Sequence, residues 1–273
     1  MYLNDIYYCS ELSRIVSSDL NINNELENTP IPFSKLLFSF NMPIYDFYTD
    51  GIKSFEYYLF INDNYNQRLY IIFKSKSNIT NSQSKVLKRR NTDWIFIQNN
   101  KTINIKINNI AKSIFDITSN KLYQNITNYN VVVLSGHGYA GLIAQMFALH
   151  LSKHRQDLRI KLYTMGIPKN VCNNIKELYK NLSIHHVNII NKYDMITELN
   201  FYKDKCDYLD KKCNLYLGSY NVSRNKPILT KIRFFIELIK KKYYKNNYIP
   251  SNHNLDDYIE QIQYYKNSLQ IYT

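Results

Sequence analysis

The chain has 273 residues, of which 45% are hydrophobic and 21% charged, and its formal net charge is +13 at pH 7. This length and apolar content suit one globular α/β domain, and no stretch approaches the roughly 18 apolar residues that a membrane-spanning helix requires. The N-terminus lacks a basic segment followed by an unbroken apolar run, so we expect no secretory signal and an intracellular, cytoplasmic protein.

The first part of the chain predicts helices followed by strands. Amphipathic helical patterns cover 11–20 and 32–40, and we expect residues 1–50 to form a helical extension packed on the rest of the molecule. Strand-like runs follow at 55–62 and 68–75, joined as a hairpin, and at 93–98 and 102–107. Helix-spaced isoleucines then mark residues 108–124.

The second part alternates more regularly between strands and helices. Strands are predicted at 130–135, 158–166, 184–191 and 214–220, and helices at 141–154, 173–182, 227–244 and 254–265. Such alternation is typical of βαβ crossovers, which give a mostly parallel sheet covered by helices. The chain has no internal repeat and no low-complexity linker, so residues 1–273 are interpreted as a single domain.

A glycine-rich turn joins strand 130–135 to the next helix and reads Gly136-His137-Gly138-Tyr139-Ala140-Gly141. Its context matches the Gly-x-Ser-x-Gly nucleophile elbow, in which a sharp turn lifts a serine hydroxyl above the sheet. Glycine occupies the serine position and tolerates the strained dihedral angles of such a turn. The Gly-x-Gly-x-x-Gly spacing also fits a dinucleotide-binding loop. That alternative requires an acidic residue near position 160, and strand 158–166 has none at its end.

Four motifs in order, over roughly residues 55–265, resemble the class 3 (fungal-type) lipases. The family's elbow reads Gly-His-Ser-Leu-Gly-Gly, and residues 136–141 read GHGYAG. The next strand ends in YTMGIPK (163–169), close to the family's Tyr-Thr-x-Gly-x-Pro-[Arg/Lys]. Val187-Asn188 then leads to Asp194, and His253 opens HNLDDY near the C-terminus. The resemblance implies an α/β-hydrolase fold with a catalytic triad at position 138, Asp194 and His253.

This chain departs from the family at two catalytic parts. Gly138 has no side chain to be acylated, and loss of the nucleophile alone costs about 10⁶-fold in turnover in serine hydrolases. The family's Phe-Arg-Gly-[Thr/Ser] segment, which supplies an oxyanion N–H, is replaced by FKSK at 73–76. The resemblance places the oxyanion-hole positions at Tyr139 and Lys76, and gives His137 an orienting and packing role. Ala140 is a mild change from the family's glycine.

The segment in place of the family's lid, residues 76–91, is polar and basic. We interpret its cluster of Lys85, Lys88, Arg89 and Arg90 as part of a solvated loop, and the alternative is an anion-binding site for lipid headgroups or nucleic-acid phosphate. The excess of Lys has a plain explanation, because Asn, Ile, Lys and Tyr are abundant together. An AT-rich coding sequence gives that composition, as in some large DNA viruses, and a viral chain would lie in the host cytoplasm.

Three functional hypotheses follow. The first is a pseudoenzyme that keeps the fold with Asp194 and His253 and binds a lipid, an acyl compound or a protein partner. The second is an active lipid or ester hydrolase that uses another nucleophile, such as Ser135 or a water activated by His253. The third is a basic protein that binds nucleic acid or an anionic membrane surface, but no recognition motif in the sequence supports nucleic-acid binding, and we do not expect a nucleic-acid partner. We expect no cofactor and no metal, because the four cysteines show no Cys-x-x-Cys spacing and His150, His154, His185 and His186 have no metal-like partners in the sequence.

Overall fold

The computed structural model describes residues 2–17, 34–46, 51–63, 68–73, 91–98, 101–108, 129–171, 182–191, 194–198, 207–209, 214–217 and 255–270, together with positions 112, 115, 116, 119, 123 and 126. The helices are α1 (Tyr2–Ser17), α2 (Tyr139–His154), α3 (Met195–Glu198) and α4 (Leu255–Gln270). The strands are β1 (Ser34–Asp46), β2 (Gly51–Asp63), β3 (Arg68–Phe73), β4 (Asn91–Gln98), β5 (Lys101–Asn108), β6 (Val131–His137), β7 (Arg159–Met165), β8 (Ile184–Asn191) and β9 (Asn214–Leu217).

Seven strands form the central sheet in the order β1-β2-β3-β6-β7-β8-β9. The first three are antiparallel neighbours, and β3, β6, β7, β8 and β9 run parallel. Apolar side chains fill both faces of the parallel part, as expected where helices cover a sheet on its two sides. The α/β class and the mostly parallel sheet predicted from the sequence are therefore confirmed.

The alternation of side chains along β3 explains which helix covers which face. Leu69, Ile71 and Phe73 point into a core that they share with α2. Tyr70 and Ile72 point the other way, into a second core formed with α1 and α4. Because successive strand residues face opposite sides of a sheet, α2 lies on one face while α1 and α4 lie together on the other.

A separate antiparallel ribbon, formed by β4 and β5, packs on the α2 side of the sheet. Phe96 and Ile105 are buried in the core of that side, while Ile95 and Ile97 on the alternate positions of β4 are exposed. The strands predicted at 93–98 and 102–107 are thus confirmed, but they do not join the central sheet.

One predicted helix is wrong, because residues 34–46 form strand β1 in place of the helix predicted at 32–40. A short apolar run fits the helix and the strand periods equally well, and here pairing with β2 decides. Pro43 within the same stretch also disfavours a helix. The predicted helical extension at 1–50 is accordingly helical at Tyr2–Ser17, whereas residues 34–46 belong to the sheet.

Some of the other predicted helices fall within the residues that the structure describes, and others do not. The helix predicted at 11–20 begins earlier, at Tyr2. Within 108–124, the described residues Lys112, Phe115, Asp116, Ser119 and Tyr123 are helical. The helices predicted at 173–182 and 227–244 lie outside the described residues. In the part of the chain that the structure describes, no helix combines the length and hydrophobicity that crossing a membrane requires.

Candidate active site

The elbow is a one-residue turn between β6 and α2. Strand β6 ends at His137 and α2 begins at Tyr139, so Gly138 alone reverses the chain direction, with φ +56° and ψ −123°. Side chains other than glycine are strained at a positive φ of this kind. The Gly138 N–H donates to the carbonyl oxygen of Met165 at 2.8 Å, which fixes the turn to the end of β7.

Two further glycines allow α2 to start close to the sheet. A Cβ on Gly136 would lie 2.5 Å from the carbonyl carbon of Ala140, and a Cβ on Gly141 would lie 2.5 Å from Cγ2 of Ile167. Both distances are far below any normal contact, so a larger residue at either position would push the helix away from the strand. Ala140 itself is buried, and its methyl group packs in the core on the α2 side.

Asp194 lies just beyond the end of β8 and is completely buried. Its Oδ1 accepts a hydrogen bond from the Ile196 N–H at 2.9 Å, and its Oδ2 accepts one from the Tyr258 hydroxyl at 2.6 Å. A buried carboxylate is costly unless it is hydrogen-bonded, and these two donors satisfy that requirement. The hydroxyl of Thr197 also donates to the Asp194 backbone oxygen at 2.7 Å, which holds α3 against the site.

Tyr258 brings helix α4 to the carboxylate. Its buried hydroxyl donates to Asp194 and also accepts a hydrogen bond from the Asn191 N–H at 3.2 Å. Burial, together with the neighbouring Asp194, raises the pKa of Tyr258 well above its ordinary value of 10.0. The phenol therefore stays protonated and remains a donor at neutral pH.

Gly166 marks the point where the four sequence motifs meet. It has φ +60°, and a Cβ placed there would lie 3.1 Å from Asp194 Oδ2, 3.1 Å from the Tyr258 hydroxyl and 3.2 Å from His137 Nε2. The His137 ring is buried and packs against Tyr258 with a centroid separation of 5.5 Å and an interplanar angle of 67°. The elbow, the YTMGIPK segment, Asp194 and the start of α4 thus form one compact cluster.

Comparison with known protein families shows what this part of the chain resembles. The sequence model for class 3 lipases matches residues 70–203, a range that includes the elbow, Gly166 and Asp194. Residues 70–203 of this chain are therefore similar to the class 3 lipases. No curated protein sequence matches it significantly.

Solved structures of class 3 lipases share the fold at low sequence identity. The Rhizomucor miehei triacylglyceride lipase is 16% identical with a TM-score of 0.55, and the match covers 72% of this chain and 74% of that one. The Penicillium expansum triacylglycerol lipase is 11% identical with a TM-score of 0.54, covering 79% and 78%. A match to the native Rhizomucor miehei lipase propeptide complex, at 16% identity and a TM-score of 0.51, covers 72% of this chain and 63% of that one. The chain therefore spans less than two thirds of the length of that relative.

The structure brings some of the candidate residues together, and others lie outside the residues that it describes. Gly136, His137, Gly138, Ala140 and Gly141 form the elbow, Tyr139 begins α2, and Asp194 lies in the cluster. His253, Lys76, Lys85, Lys88, Arg89 and Arg90 lie outside the described residues. In sequence, His253 precedes by two positions the helix that carries Tyr258 to Asp194.

Sequence reasoning did not single out Tyr258 and Gly166 as functional residues. The available signal was their place in the lipase motifs, since Tyr258 closes HNLDDY and Gly166 is the glycine of YTMGIPK. Asn191, whose backbone N–H binds the Tyr258 hydroxyl, carried no signal at all, because backbone groups are invisible to a motif.

Ser135, the alternative nucleophile suggested by the sequence, is fully buried in β6. Its hydroxyl faces Cys9 of α1, on the side of the sheet opposite to α2. Burial raises the pKa of the Cys9 thiol well above its ordinary value, so this cysteine is not activated as a thiolate. Neither side chain is placed to attack a substrate. Within the described ranges, no group of three or more His, Cys, Asp and Glu side chains is placed to hold a metal ion.

Proposed function

We propose that this chain is a class 3 lipase-like pseudoenzyme that binds a lipid or acyl compound at the elbow and does not hydrolyse it. The observation that carries the proposal is Gly138, which occupies the elbow with φ +56° and ψ −123°. The backbone of the turn is kept, but nucleophilic catalysis needs a side-chain oxygen, sulfur or nitrogen, and glycine has none.

The residues around Gly138 support the proposal that the site is still used for binding. Asp194 has a hydrogen-bond donor on each carboxylate oxygen, and Gly166 leaves room for the close approach of Asp194, Tyr258 and His137. A site without any remaining use would have no reason to keep a completely buried carboxylate, which is expensive to desolvate. Burial of Ser135 and Cys9 argues against an active enzyme that has exchanged one nucleophile for another.

The first test is hydrolysis of p-nitrophenyl butyrate by the unaltered chain and by Gly138→Ser. Gly138→Ala is the matched control, because it adds the same Cβ at the strained turn without a hydroxyl. We expect the unaltered chain and Gly138→Ala to stay at the buffer rate, and Gly138→Ser to exceed it at least tenfold. Adding Asp194→Asn or His253→Ala to Gly138→Ser should remove that gain. Turnover by the unaltered chain that is lost in His253→Ala would refute the pseudoenzyme.

The binding half of the proposal needs its own measurement. Titration calorimetry with a long-chain fatty acid below its critical micelle concentration should give saturable binding to the unaltered chain. A bulky side chain at the turn, as in Gly138→Leu, should weaken that binding, provided that circular dichroism shows an unchanged fold. Absence of binding, or equal binding by both proteins, contradicts a ligand site at the elbow.

A further inference from the structure

Two histidines face each other at the end of α2 that is far from the elbow. His150 and His154 are four residues apart, which places them on the same face of the helix in its last turns. Their ring centroids lie 4.5 Å apart with an interplanar angle of 48°. Gly138 lies at the other end of the helix, about 20 Å away at 1.5 Å per residue. The pair is therefore separate from the candidate active site.

Aromatic neighbours hold the two rings in position. The ring of Phe115 packs edge-on against His150, with centroids 5.6 Å apart. Tyr123 packs edge-on against both histidines, at 6.4 Å from His150 and 6.0 Å from His154. His150 is half-buried and His154 is exposed, so the pair is fixed on one side and open to solvent on the other. Fixed donors lose less conformational freedom when they bind a ligand.

The spacing of the rings suits chelation of one metal ion. A metal bound 2.1 Å from one nitrogen of each imidazole would lie about 3.2 Å from each ring centroid. Centroids 4.5 Å apart then subtend an angle of about 90° at the metal. That angle matches neighbouring positions of a square-planar or octahedral site, the geometries of Cu²⁺ and Ni²⁺.

The local electrostatics both oppose and favour a bound cation. Burial, followed by the charges of His154 and Lys153, lowers the pKa of His150 to about 4, and the same effects disfavour a bound cation. The C-terminal end of α2, in contrast, carries the negative end of the helix dipole, which favours a positive charge. Lys153 opposes the cation, and the charge of the nearby Arg155 is paired with Asp157 at 2.7 Å.

We propose that His150 and His154 form a two-histidine site for one divalent transition-metal ion, with Cu²⁺ bound most tightly and Ni²⁺ and Zn²⁺ less tightly. Metals of this series prefer imidazole nitrogen, and Cu²⁺ leads the usual order of affinity. Two positions of the metal are taken by the protein, and the others remain open to water. A bound ion links the last two turns of α2, so it stabilises the folded chain by mass action.

Calorimetric titration of the full chain with NiCl₂ and CuCl₂ at pH 7.5 tests the site. Accessible thiols are first blocked with N-ethylmaleimide, because cysteine also binds these metals. His154→Gln removes one donor, and His185→Gln is the matched control, since His185 is an exposed histidine on β8. The unaltered chain and His185→Gln should bind one ion that His154→Gln binds at least tenfold more weakly. MgCl₂ should give no heat, because Mg²⁺ prefers oxygen ligands.

Paramagnetic broadening of the histidine Cε1–H resonances tests the pairing without altering His150. At a tenth of an equivalent of Ni²⁺, the resonances of His150 and His154 should broaden first and together. Broadening of all exposed histidine resonances to the same extent, or equal Ni²⁺ affinity of the unaltered chain and His154→Gln, would mean adventitious binding only and would overturn the proposal.

Discussion

The absence of a Cβ atom at Gly166 allows the polar groups of the site to pack closely together. Three polar groups, from β6, from the residue just before α3 and from α4, come within 3.2 Å of the place where its Cβ would be. A methyl group there would require the carboxylate, the phenol and the imidazole each to move by a few tenths of an ångström. Its φ of +60° adds a backbone reason for glycine, because other residues are strained in that region. The close packing of Asp194 and Tyr258 therefore depends on this position.

Removal of the Tyr258 hydroxyl tests whether its hydrogen bond to Asp194 stabilises the folded protein. Tyr258→Phe removes a donor from buried Asp194 and an acceptor from the Asn191 N–H. Loss of a partner by a buried polar group costs about 1–3 kcal/mol, so the free energy of unfolding should fall by that amount in urea titrations at pH 7. Because the pKa of Tyr258 is raised in the folded state, its contribution is fully present below pH 10 and is lost only at higher pH.

Tyr264→Phe is the matched control for this change. Tyr264 lies on the same helix and is 72% exposed, so removal of its hydroxyl should change the stability by less than about 0.5 kcal/mol. If the two variants unfold at the same urea concentration, the hydrogen bond between Tyr258 and Asp194 does not support the site.

At the scale of elements, one buried aspartate fixes helix α1 to the sheet. Asp5 accepts hydrogen bonds from Arg68 at 3.0 Å, from Lys161 at 2.5 Å and from the Tyr163 hydroxyl at 3.3 Å. These partners come from β3 and β7, two strands of the parallel part of the sheet. Because α1 also packs against α4, this attachment supports the helix that carries Tyr258.

Asp5→Asn should be strongly destabilising. The substitution keeps the shape of the side chain but removes the charge, which leaves Arg68 and Lys161 partly buried without their carboxylate. Breaking a buried ion pair in this way costs about 3–5 kcal/mol. Chemical unfolding monitored by circular dichroism measures the loss. In contrast, Asp157→Asn breaks an exposed pair with Arg155 and should leave the unfolding curve almost unchanged. Similar curves for both variants would rule out anchoring of α1 by Asp5.

The elements differ in how well the sequence predicts them. β6, α2, β7 and β8 follow from local patterns, because buried parallel strands read as apolar runs and helices show their own period. β1 does not, since its apolar stretch fits either period and its structure depends on pairing with β2. The role of Asp5 could not be predicted either, because Arg68 and Lys161 lie 63 and 156 residues away in sequence. In the candidate site, the motifs suggested Gly138 and Asp194 as candidates, whereas contacts between motifs, such as Tyr258 with Asp194, required the fold.

At the scale of the whole molecule, the net charge of +13 attracts polyanions such as nucleic acid. Binding to nucleic acid through such a charge arises from the release of counterions and falls steeply with salt. The proposed binding of a lipid or acyl ligand at the elbow would take place beside Gly138 and the buried, hydrogen-bonded carboxylate of Asp194, and it would need no cluster of exposed cations. The two kinds of binding therefore respond differently to ionic strength.

We predict that duplex DNA binds this protein at 50 mM salt and loses about 10³-fold or more in affinity by 200 mM, as expected for six or more phosphate contacts. Fluorescence anisotropy with two unrelated DNA sequences measures both the slope and the absence of sequence preference. Replacing Lys85, Lys88, Arg89 and Arg90 with Gln should reduce the slope, while fatty-acid binding measured in the same buffers should stay within about twofold, since screening acts mainly on exposed charges. DNA binding that survives 200 mM salt and prefers one sequence would instead favour a nucleic-acid-binding protein built on the lipase fold.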